Sequence, residues 1–180
     1  MKIKTNFRWI AKIVLMSVLV SMSFTLLSTE MLGRAGYIAA FAVLAAVIML
    51  GIVFDVIGIA VTVASEAPLH SMAAHKERGA AESLGLKKNA DRVSSFCNDV
   101  IGDVLGIFSG ATAALITARL LNTLGTESIF LQLLIPGSVT GLTIGGKALS
   151  KSLAFNNSTA IVLRVGKLIN LCKRMRFKSH

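Results

Sequence analysis

Residues 37–64 read YIAAFAVLAAVIMLGIVFDVIGIAVTVA, a block of 28 residues whose one charge is Asp55. About 20 apolar residues in a helix cross the hydrocarbon of a bilayer, so a run this long with a single ionisable group reads as a membrane-spanning helix. Working outward, the N-terminal side carries a second apolar run, Ile13 to Leu27, preceded by Lys2, Lys4, Arg8 and Lys12. Basic residues followed by an apolar stretch also describe a signal peptide, but Ser28-Thr29-Glu30-Met31-Leu32 offers no small-x-small cleavage site. The expectation is an uncleaved first span over about residues 9–28.

On the C-terminal side, residues 66–92 are polar and alanine-rich, with Pro68 near the start, where proline suits the first turn of a helix. Leu69, Met72, Ala73, Ala80, Leu84 and Leu86 fall loosely on one side, which predicts an amphipathic helix lying at the membrane interface. A third span is expected from about Ser95 to Leu121. A fourth is expected from about Ser128 to Leu149, kinked at Pro136-Gly137. The remainder, 150–180, is strongly basic and reads as a tail along the membrane surface. The fold class is therefore all-α: a polytopic membrane protein of about four transmembrane helices plus interfacial amphipathic helices.

Composition agrees. Of the residues 54% are hydrophobic and 16% charged, and the mean hydropathy is +0.72. A soluble domain of 180 residues could not cover so much apolar surface with so few charges. The apolar residues come in blocks rather than alternating, which leaves helices as the way to satisfy the backbone in lipid. The net charge of +10 would suggest nucleic acid in a soluble protein, but the blocks divide the basic residues into clusters. Lys and Arg number 4 in 1–12, 5 in 66–92 and 8 in 147–180, against only Arg34 and Arg119 in the opposite links. Four spans put the three clusters on one side, and the positive-inside rule makes that side the cytoplasm, with both termini there and anionic headgroups as partners. Nucleic acid is not an expected partner.

Cys97 and Cys172 flank the cytoplasmic face, lack any C-x-x-C spacing, and read as reduced thiols rather than zinc ligands or a disulfide. No G-x-x-x-x-G-K, G-x-S-x-G or H-E-x-x-H pattern is present, so an enzyme is not expected.

Ionisable groups inside spans are costly and are functional candidates by default. Asp99 and Asp103 stand four apart, on one face of a helix, with Asn98 beside them. Two carboxylates so placed suit a hard cation, and equally suit sharing a proton or pairing with a lysine. Helix capping is the bland account of Asp99 if Ser94 or Ser95 begins the span, but it does not reach Asp103, another turn in. Asp55 is the most deeply placed carboxylate, open to a structural or a transport role. Lys147 either snorkels to the headgroups or pairs with Asp99 or Asp103. His70 and His75 read as decoration of the interfacial helix. Gly102, Gly106 and Gly110 share a face, and Gly137, Gly141, Gly145 and Gly146 do similar work in the fourth span, which serves close helix packing around a polar site or at a dimer seam.

Three stretches together resemble the transmembrane domain of the CorC/CorB and cyclin-M (CNNM) magnesium transport family. Val63–Met72 reads VASEAPLHSM where the family has a pattern like SASETALFSLS. Asp99–Asp103 reads DVIGD where it has N-x-L-x-N. Gly146–Asn157 reads GKALSKSLAFNN where it has GEILPKSLALRN. The resemblance covers about 37–175 and implies three spans with a belt of amphipathic helices, a homodimer, and a cytosol-facing magnesium site with oxygen ligands. It implies Ser65, Glu66, Asp99 and Asp103 as site residues, with Asn98 adjacent, and places Lys147 where the family has a glutamate. The nucleotide-binding CBS domains that usually follow are absent from this stretch, so no nucleotide is expected. An ammonium near two carboxylates can occupy the place of a bound cation. At roughly 4 Å and an effective dielectric of about 20 such a pair interacts by about 4 kcal/mol before desolvation.

The resulting organisation is 1–36 as basic segment, extra span and link, 37–149 as a CorC-like transmembrane domain with an interfacial helix at about 66–92, and 150–180 as a basic interfacial tail. The expected function is movement or modulation of divalent cations, magnesium or cobalt, across the inner (plasma) membrane. Asp99, Asp103, Ser65, Glu66 and Asn98 would offer metal ligands and Lys147 the counter-ion. The alternative is a non-transporting membrane scaffold or partner-binding protein on the same fold.

Overall fold

The computed structural model describes residues 11–23 and 36–177, and the regular structure among them is entirely helical. A short apolar helix, α1 (Ala11–Ser23), covers the middle of the expected first span, whose ends lie outside the described residues. Then follow α2 (Tyr37–Val63), α3 (Glu66–Ala74), α4 (Ala80–Lys88) and α5 (Ala90–Ser95). A π-helical segment, Phe96–Gly102, leads without interruption into α6 (Asp103–Leu124), and α7 (Ile129–Phe177) closes the chain. Among the described residues three helical stretches are long and apolar enough to cross a membrane: Tyr37–Val63, Ala90–Leu124 and Ile129–Met175.

Local chemistry sets the boundaries. α2 stops where the apolar run meets Ser65, whose extended backbone (φ −77, ψ 139) precedes α3, and Pro68 falls in the first turn of α3 as expected. α6 ends at Gly125, which takes the left-handed conformation (φ 61) while its N–H reaches the Asn122 carbonyl.

Packing divides the chain into two units. In the first, drawn from residues 1–52 and 99–146, Ala40 and Leu44 of α2 bury against Ala113 and Ile116 of α6 and Val139 of α7. Val47, Leu105 and Phe108 form a neighbouring cluster. At one end of this unit the Tyr37 hydroxyl lies 2.6 Å from Thr123 Oγ1 and donates to the Arg119 carbonyl at 3.2 Å, which ties the start of α2 to the end of α6. In the second, drawn from residues 53–98 and 147–180, Ala60, Val61, Ala64, Leu69, Ala154 and Val162 form the core. There Lys167 pairs with Glu77 at 2.9 Å, and Lys173 with Glu82 at 3.5 Å.

Several expectations are corrected. The segment 66–92 is not one helix: α3 and α4 are separated by a turn at 75–79, where Lys76 (φ 55) and Gly79 (φ 82) both adopt left-handed angles, which a helix cannot contain, and its last residues, from Ala90, already belong to the stretch that leads into α6. The helical stretch that holds the expected third span is longer than that span, running from Ala90 to Leu124. Pro136 lies inside α7, as expected, and a further break in α7 comes at Asn157, whose backbone is not helical (φ −127, ψ 22). Helical backbone also continues past Leu149, so the expected division between span and tail falls within α7.

Candidate functional site

The most apolar helix supplies the site. Asp55 interrupts α2 about 12 Å before its C-terminal end, taking 1.5 Å per residue, and only 8% of it is exposed. An aspartate near the centre of a spanning helix costs about 2.5–3.5 kcal/mol on insertion scales, so its surroundings must compensate. They do so through Ser150, a fully buried residue of α7 whose Oγ lies 2.5 Å from Asp55 Oδ2. The same Oγ lies 2.7 Å from the Lys147 carbonyl oxygen, one turn back along α7. Three oxygens thus form a chain: Asp55 Oδ2, Ser150 Oγ and Lys147 O.

Asn98 adds a polar group one turn along α2. Its side chain lies against Gly58, where a β-carbon would overlap the Asn98 side-chain oxygen, so the absence of a side chain at Gly58 makes room for it. Asn98 Nδ2 donates to Ser94 Oγ at 3.3 Å, while Oδ1 is buried with no hydrogen-bond partner. A buried amide oxygen left unpaired costs about 1–3 kcal/mol, which singles this position out.

The residues expected from sequence are placed differently. Asp99 and Asp103 lie one turn apart, and both are exposed. Ser94 and Ser95 belong to α5 rather than to a helix start, and Gly102 has helical angles (φ −61, ψ −42). Neither aspartate therefore caps a helix, and the capping account of Asp99 falls. Asp99 instead sits inside the π-helical segment, a form common at functional positions. Ser65 and Glu66 are exposed at the α2–α3 break, and Lys147 is half-buried. Among the described residues no three or more of His, Cys, Asp and Glu come together as a metal site. Among the described residues nothing stands where a side chain would be at Gly106, Gly110, Gly137, Gly141 and Gly145, whereas at Gly146 a β-carbon would overlap the Ile52 side chain, so of these glycines it is Gly146 that serves a close approach.

Ser150 is the residue that sequence reasoning missed. It stands where the resembled family has proline, and its partner is 95 residues away. The one available signal was an unpaired carboxylate in α2 that required a donor from another span. Compared with protein-family models, with curated proteins and with solved structures, the chain has no match.

Proposed function

We propose that this chain is a multi-pass protein of the inner membrane, with about four spans and cytoplasmic termini, that moves or gates cations in the manner of a CorC-like transmembrane domain. The observation that carries this reading is Asp55, buried in the most apolar helix and held by Ser150, with no ion-pair partner within 4 Å among the described residues. Structural helices in lipid rarely keep a carboxylate, whereas cation pathways use them. The three motif resemblances support it independently. In this reading Asp99 and Asp103 offer acidic oxygens to a magnesium or cobalt ion, Ser65, Glu66 and Asn98 offer further oxygens, and Lys147 acts as counter-ion. The chain works as a homodimer against anionic headgroups. Flux of magnesium, cobalt or sodium into proteoliposomes tests it: uptake above empty liposomes, reduced at least tenfold by Asp55→Asn or Asp103→Asn, is expected. No flux for any of these ions would remove the transport claim.

A second reading, a membrane scaffold that binds a partner and transports nothing, is favoured by the exposure of Asp99 and Asp103, which no third His, Cys, Asp or Glu joins among the described residues. Titration of the purified protein with magnesium separates the two readings. Binding lost in Asp103→Asn supports the first, and no binding supports the second.

A further inference from the structure

The three-oxygen chain at Asp55 has a proton inventory that bears on its chemistry. Two short oxygen–oxygen contacts meet at Ser150 Oγ, at 2.5 and 2.7 Å, yet a serine hydroxyl carries one proton. The Lys147 carbonyl can only accept. Elsewhere in the same unit Ser83 Oγ also lies near two oxygens, the carbonyls of Gly79 (2.8 Å) and Val162 (3.1 Å). There neither partner can bring a proton, so the hydroxyl proton must be shared or given to one of them. At Ser150 one partner is a carboxyl group, which can bring its own.

We propose that Asp55 carries a bound proton and donates it to Ser150 Oγ, while Ser150 donates its own proton to the Lys147 carbonyl. The set is then an exchangeable-proton site inside a spanning helix. The charged groups around it fit this assignment. The packed elements are α7, with Lys147 half-buried and Lys151 exposed, and the segment before α6, with the neutral Asn98 and Ser94. Among the described residues no ammonium or guanidinium lies within 4 Å of the Asp55 carboxyl, the ion pairs of this unit being Lys167–Glu77 and Lys173–Glu82. A bare carboxylate among apolar residues is far more costly than a neutral acid with a hydrogen-bond acceptor beside it. The inference has a switching consequence. When the proton leaves, the Ser150 hydroxyl must turn from the Lys147 carbonyl to the new carboxylate, so loss of the proton rewires the contact between α2 and α7.

Infrared spectroscopy of the full chain in lipid, with aspartate labelled at its side-chain carboxyl carbon, tests this directly. At neutral pH the wild type should show a carboxylic-acid carbonyl band that is lost in Asp55→Asn and shifted in Ser150→Ala. A wild-type-minus-Asp55→Asn difference spectrum containing only a carboxylate band would overturn the proposal. So would an acid band that does not respond to Ser150→Ala. The asparagine variant matches the neutral acid in shape and can also donate to Ser150, so it should fold as the wild type does. The labelled wild type with Ser150→Ala keeps the test open if it does not. The readout is independent of ion flux. A band without flux retires the cation-movement reading and keeps the proton site, and flux without the band does the reverse.

Discussion

The ammonium of Lys87, on α4, donates to the carbonyl oxygen of Thr62 at 2.8 Å, so a charge from the short helices closes the C-terminal end of α2. The last carbonyls of a helix have no partners within it, and together they carry a partial negative charge that a cation offsets. Replacing Lys87 by Met keeps the apolar stem and removes the ammonium. Thermal unfolding in detergent should show a loss of about 0.5–1 kcal/mol, reduced at high salt.

Gly79 and Gly85 form a matched pair for a second test. A β-carbon on Gly79 would lie 2.5 Å from the Lys167 backbone nitrogen, and its φ of 82 already disfavours any side chain. Gly79→Ala should cost more than about 2 kcal/mol, since backbone strain and overpacking add. Gly85 has open space and sits within α4. Gly85→Ala should therefore be neutral or stabilising by up to about 1 kcal/mol. Equal effects in the two variants would mean that α4 does not pack against α7 as described.

Acid sensitivity should trace in part to Glu82. A hydrogen bond from the Asn170 amide, first, and then its own backbone N–H hold its carboxyl below the ordinary value of 4.5, with burial opposing them and the Lys173 ammonium adding a smaller pull in their direction. A carboxyl depressed in the folded state stabilises the fold above its unfolded value and loses that contribution as pH falls through the folded one. Stability measured downward from pH 5 should fall less steeply in Asn170→Ala than in the wild type. An unchanged slope would show that this contact contributes nothing.

The two cysteines report on topology. Cys172 is exposed and Cys97 is buried, and both are free thiols. With the C-terminus in the cytoplasm, an impermeant maleimide should modify Cys172 in inverted vesicles and not in right-side-out ones, with Cys97 silent in both. Labelling from the outside would reverse the orientation.

What the sequence disclosed, and what it hid, follows from the range of the interactions. α2 was legible because bilayer insertion depends on local hydropathy, and the run ending at Ala64 differs from the helix end at Val63 by one residue. The break in 66–92 was not, because it rests on a left-handed lysine, and Lys76 carries no compositional mark of a turn. Ser94 and Ser95 look like a cap, yet the helix beginning at Ala90 passes through them, since helix ends are decided by packing as much as by capping chemistry. Asp55 could be flagged from its own surroundings. Its bond to Ser150 spans 95 residues and could not be.

The Tyr37 hydroxyl, bonded to Thr123 and Arg119 at the head of α2, belongs to the only tyrosine in the chain. Tyrosine favours the headgroup level, where its ring meets acyl chains and its oxygen meets water. The molecule therefore carries its own depth gauge: once Trp9, which would otherwise take up its excitation, is replaced by phenylalanine, ultraviolet emission from that single phenol, quenched by lipids bearing spin labels at graded positions, measures how far the helix sits from either leaflet with no foreign dye attached.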